Sequence, residues 1–307
     1  MTHDDTRKRN FSHARARETL VSVRHCSSQP SPRLTSPPAT RTNVAGDDMG
    51  HIHLATLPGT RRWREVVELL DAQAATGDVV AASAHAAERE LGRAAQDPVL
   101  HAAVRLLAQI PQAARSESFG AKLRDLGIEA PDAPTLGDLT VATAAAIERS
   151  QVGRPRTDFD EIVRRAMVGT LSGLIGSDLP GLFGAEPVHV QQAAARLGRG
   201  TEFARTSRAF FGRLLSDTLG YWLDRTLSAE IGPTARLASM DHRDAFDHAV
   251  EQYCIEATRI IREFSVAWYG KTLHREGTIS HRSAAAFTAV AMKKIGAELQ
   301  RKAVDRA

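Results

Sequence analysis

Long apolar runs, cysteines and aromatic side chains are all scarce in this 307-residue chain, and each scarcity removes a class of protein. No stretch approaches the ~18 consecutive apolar residues of a membrane-spanning helix, so no membrane association is expected. The two cysteines, Cys26 and Cys254, lie far apart, one in a Ser/Pro-rich stretch and one in a helical pattern. That excludes a disulfide framework and fits a reducing compartment. The N-terminus is charged and carries no apolar core of a secretory leader. Alternating Val/Ile runs between turns, the mark of strands, are nearly absent. Lysine is sparse beside arginine and alanine, a usage typical of GC-rich bacterial genes. A cytoplasmic bacterial protein is the expectation.

Charge of one sign is also missing from most of the chain. The basic surplus sits in residues 1–50, with eight Lys/Arg against five acids; the remaining 257 residues hold 32 against 31. The part able to fold is nearly neutral, so composition implies no large electrostatic footprint for nucleic acid. Residues 1–48 include the Ser/Pro/Thr-rich stretch 27–42, which cannot repay its chain entropy by burial. They are expected to be a disordered arm or a non-native extension, with Met49 as the true start.

What is present is helical periodicity. The pattern predicts an all-α domain over 51–307, a multi-helix bundle of about nine or ten helices. Asp97-Pro98 reads as an N-cap followed by proline in the first turn, and Pro111 should stop that helix. Gly127 closes a short helix from Ser116, and Thr157 caps another that runs through Ile175. Gly169, Gly173 and Gly176 align on one side of it, as at a close helix crossing. The loop 178–185 is a candidate seam between subdomains.

The clearest signal is an apolar stripe of heptad type on one expected helix, Asp241–Trp268: Phe246, Val250, Tyr253, Ala257, Ile260, Phe264 and Ala267. Eleven of the 16 aromatics fall in 203–287. Trp222, Phe246, Tyr253, Ile260, Phe264 and Trp268 are therefore the candidate interaction surface, with the chain's own core as the competing use of the same residues.

Signals for chemistry are weak. His51 and His53 would share a face of an extended segment, as metal pairs do, but no later strand supplies further ligands. Glu186-Pro-Val-His189 has the spacing of a di-metal bundle without a second copy, and suits a helix start better. Asp244, His248, Glu251 and Tyr253 form a candidate cavity site, though i,i+4 pairing explains the first residues. Cys254 reads as a buried, inert thiol. Gly270-Lys271-Thr272 imitates a phosphate loop but follows a helix, and is read as a helix terminus. No cofactor or metal is expected. Two features keep nucleic acid as an alternative. Gly153-Arg154-Pro155-Arg156 resembles the core of a minor-groove hook, and basic residues gather at Arg205/Arg208/Arg213 and on the last helix. The candidate contacts are Arg154, Arg156, Lys293 and Lys294.

The leading expectation is a non-enzymatic accessory, adaptor or assembly protein that works through a protein partner or as a homo-oligomer. A nucleic-acid-associated protein is the alternative, and a metal-dependent enzyme in a helical cavity is the third.

Overall fold

The computed structural model describes residues 61–304 apart from 152, 182–184, 228–236 and 238. The N-terminal arm, Met49, the His51/His53 pair and residues 182–184 of the 178–185 seam lie outside the described residues. All that is described belongs to one compact unit, Asp48–Ala307. It is all-α: α1 (Arg61–Asp71), α2 (Thr76–Ala94), α3 (Pro98–Ala113), α4 (Phe119–Asp125), α5 (Leu136–Arg149) and α6 (Asp158–Gly176) come first. After them come α7 (Pro187–Arg196), α8 (Gly200–Leu227), α9 (Met240–Ala257), α10 (Ile260–Glu276) and α11 (His281–Val304). No described helix is long and apolar enough to cross a membrane.

Local chemistry sets the helix ends. The Asp97 carboxylate accepts a hydrogen bond from the Val99 amide at 2.7 Å, and Pro98 occupies the first turn of α3. Thr135 with Asp138, and Thr157 with Asp160, close reciprocal capping boxes on α5 and α6. Gly277 ends α10 in the left-handed region, where a Cβ would be strained. Pro111 does not stop α3. It sits in the last turn and the helix continues to Ala113, losing only the amide donor that would have met the Leu107 carbonyl.

The core is organised around α8, which packs against α6, α9 and α10 and also touches α2 and α3. Its buried residues include Phe203, Phe210, Phe211, Leu215, Leu219 and Trp222, spread around much of its circumference, as expected of a helix surrounded by others. The aromatic-rich C-terminal helices meet there. Phe203 stacks on Tyr269 with centroids 4.1 Å apart, and Trp268 lies 4.3 Å from Phe287. α2, α3 and α11 form the opposite wall, with α1 laid on α2 and α5 on α6.

The segment 241–268 is two helices rather than one. α9 ends at Ala257 and α10 begins at Ile260, with an elbow at Thr258–Arg259. The Thr258 hydroxyl donates back to the carbonyls of Cys254 (2.9 Å) and Ile255 (3.1 Å), a side-chain bond that bends helices. Past the elbow the buried face is Ile261, Ser265, Tyr269 and Thr272. The heptad register does not carry through: Ile260 is half-buried and Ala267 exposed. The split also raises the described count to eleven helices. Gly270-Lys271-Thr272 lies inside α10, not at its end.

Candidate functional site

Where α6 and α8 cross beside α9, a cleft of about 530 Å3 opens. Its α6 wall is Gly169, Thr170, Gly173 and Leu174; its α8 wall runs from Arg205 and Arg208 through Gly212 and Arg213 to Ser216 and Asp217. Glu251 and Ile255 of α9, with Thr258 of the elbow, complete it. Three glycines make the room. The Arg213 guanidinium lies across Gly169, where a Cβ would stand 2.9 Å from Nη1. A Cβ on Gly173 would meet nothing within 4 Å, so that position opens into the cleft. At Gly212 the elbow comes close, with Thr258 Oγ1 3.3 Å from where a Cβ would be.

The cleft is electrically polarised. At one end Arg208 is half-buried. Its Nη2 donates to the Ile255 carbonyl at 3.1 Å, while its buried Nε has no acceptor among the described residues. No described carboxylate pairs with it. Arg205, beside it, is held by Glu202 at 3.4 Å. At the other end Asp217 is half-buried and, among the described residues, accepts no hydrogen bond. Burial pushes its carboxyl above the usual carboxylate range, Glu251 adds to the rise, and Arg165 and Arg213 oppose it through space. A perturbed carboxyl and an unpaired guanidinium in one cleft with apolar patches (Leu174, Ala209, Ile255) are the ingredients of a small-ligand site.

The residues singled out from sequence are placed differently. Trp222, Phe246 and Tyr253 are buried in the core, while Ile260, Phe264 and Trp268 are half-buried and packed against it. Phe264 lies 5.3 Å from Phe287, and the Lys294 ammonium sits over its outer face at 5.6 Å. Three of the six are thus interior, while Ile260, Phe264 and Trp268, spaced along one face of α10, keep part of their surface exposed. Arg154 turns inward: its Nη2 lies 3.4 Å from Asp97, whose side chain is fully buried. Arg156 is exposed and paired with Glu148. Lys293 is exposed on α11, which packs against α2, α3, α9 and α10, whereas Arg154 and Arg156 lie on the α5–α6 connection.

Of the third set, Asp244 and His248 are exposed and Tyr253 is buried on the other side of α9. His248 lies 4.0 Å from Glu251, and only Glu251 reaches the cleft. No group of three or more potential metal ligands is found among the described residues. His189 accepts from the Glu186 amide at 3.2 Å at the start of α7. Cys254 is buried, and burial with the Asp217 and Glu251 charges drives its thiol far up, so no thiolate forms at neutral pH.

The cleft was not found from sequence, although both of its walls carry a visible signal: glycines along one side of α6 and arginines along one side of α8. No family model matches the chain, and comparison with curated proteins and with solved structures finds no significant match.

Proposed function

We propose that this is an α-helical accessory protein that works by binding. Its primary ligand is a small organic molecule carrying an anionic group, held in the cleft between α6, α8 and α9. One observation carries this: Arg208, half-buried at the cleft, has a backbone carbonyl as its only described partner and a buried Nε without an acceptor. A desolvated cation left unpaired is costly, and an anion entering the cleft would satisfy it through a charge-assisted pair. The volume, about 530 Å3, is within the range of small-molecule pockets. A ligand that binds only the folded chain raises its melting temperature by mass action.

Thermal melts against a panel of carboxylates and phosphate esters at millimolar concentration test the proposal. At least one series should raise Tm in the wild type and lose that effect in Arg208→Met. A panel that leaves Tm unmoved, or shifts both proteins alike, would count against it. Binding of a protein partner or a second copy, if the accessory role requires it, would leave out the buried Trp222, Phe246 and Tyr253. Cytoplasmic location and bacterial origin belong to the same proposal.

A further inference from the structure

Arg208 and Asp217 line one cleft without a contact-distance ion pair among the described residues, and this constrains the ligand further than the need for an anion. From Arg208 to Asp217 the chain advances nine residues along α8, about 13 Å of helix axis. Arg208 contacts no described carboxylate, and Asp217 accepts no described hydrogen bond. Between them on α8 lie Ala209, Gly212, Arg213 and Ser216, with Leu174 and Ile255 among the residues of the facing walls, a stretch of mixed apolar and polar lining. Arg213 is laid across Gly169 and, with Arg165, acts on Asp217 through space without a described hydrogen bond to it.

Resting on the small-ligand reading above, we infer that the cleft takes an elongated zwitterion, its carboxylate on Arg208 and its ammonium on Asp217, of the class of short unmodified peptides. An extended tripeptide spans about 10 Å from end to end, comparable with the roughly 13 Å of helix axis that separates these two lining residues. The carboxylate would meet the Arg208 Nε that has no acceptor among the described residues, and the ammonium would meet a carboxyl that accepts no described hydrogen bond and feels Arg165 and Arg213 only through space. An α-amino acid is too short to touch both ends. A phosphate monoester would satisfy Arg208 but would set a second negative charge toward Asp217 and Glu251.

Three forms of one peptide separate the two ends without any mutation. Calorimetric titration of the full chain with trialanine, N-acetyl-trialanine and trialanine amide should show the free peptide binding at least tenfold more tightly than either blocked form. In Arg208→Met the acid and the amide should become equivalent. In Asp217→Asn the amine and the acetyl form should become equivalent, while the preference for a free carboxylate persists. Blocked peptides binding the wild type as well as trialanine would overturn the zwitterion assignment. So would variants that keep both preferences, or tighter binding of inorganic phosphate than of trialanine. Binding of simple carboxylates that depends on Arg208, with no discrimination among the three peptides, would leave the small-ligand reading standing and remove only this one. No binding by any of the three peptides also overturns it.

Discussion

Thr258 and Gly212 meet where the α9–α10 elbow rests on α8: a Cβ added to Gly212 would stand 3.3 Å from the Thr258 hydroxyl oxygen. The same hydroxyl bends the chain by donating to the Cys254 and Ile255 carbonyls, so one contact fixes both the elbow and one end of the cleft. Gly212→Ala should change stability by less than about 1 kcal/mol, because its helix-propensity gain offsets a small displacement of Thr258. Gly212→Leu should cost about 1–3 kcal/mol by overpacking. Denaturant melts of the two variants check this, and equal tolerance would mean that the elbow does not press on α8.

Core and surface around the α8–α10 packing separate by truncation. Phe203 is fully buried against Tyr269, so Phe203→Ala should cost about 3–5 kcal/mol. Phe264 is half-buried against Phe287, and Phe264→Ala should cost less, about 2 kcal/mol, while Arg262→Ala on the exposed side should cost at most about 1 kcal/mol. A folded, undiminished Phe264→Ala would show that the ring belongs to a partner surface instead of the core.

Arg154 is expected to be structural. Removing it leaves the fully buried Asp97 without its cation, so Arg154→Ala should lower stability by roughly 1–3 kcal/mol, the arginine being about one-third exposed. Arg156→Ala, at an exposed pair, should change stability by at most about 1 kcal/mol. Melting curves decide it. If Arg154→Ala melts like the wild type and instead loses low-salt DNA binding in a gel-shift assay, the nucleic-acid alternative gains its contact.

Asp217 gives a pH signature. Its carboxyl titrates above the usual range in the folded chain, so the folded state holds the proton more tightly than the unfolded state does. That contribution is fully present below the unfolded value near 3.8 and is lost as pH rises through the folded value. At neutral pH the ionised group therefore opposes folding. Asp217→Asn should raise Tm at pH 7 by roughly 1–3 °C and bring no comparable gain at pH 4. A loss of stability at pH 7 would show that Arg165 and Arg213 outweigh burial there.

Helix positions were legible in sequence because their determinants are local. Asp97-Pro98 and Thr157 with Asp160 announce their own starts within four residues. The elbow was not legible, since a threonine on an apolar stripe serves a straight helix or a bent one. Which it does here depends on α8 lying against it at Gly212. The heptad-like pattern was real but short: Phe246, Val250, Tyr253 and Ala257 are buried together, and the register then shifts by about one position. The cleft depends on a relation that no local window holds. Gly169 and Gly173 matter because they face Arg208, Arg213 and Asp217 some forty residues later, which only the packing of α6 on α8 establishes.

The central claim is that the α6–α8–α9 cleft is a ligand site, and Gly173 offers the most direct test of it. Gly173 lines the cleft and a Cβ there meets nothing within 4 Å, so a side chain can start from that position without a clash at Cβ, and replacing a helical glycine favours the helix. Gly173→Phe should keep the wild-type circular dichroism spectrum and an equal or higher Tm. Titrated calorimetrically with whichever anion most stabilises the wild type, it should show at least a hundredfold weaker binding. A well-folded Gly173→Phe that binds that anion as tightly as the wild type does would place the ligand elsewhere and contradict the account.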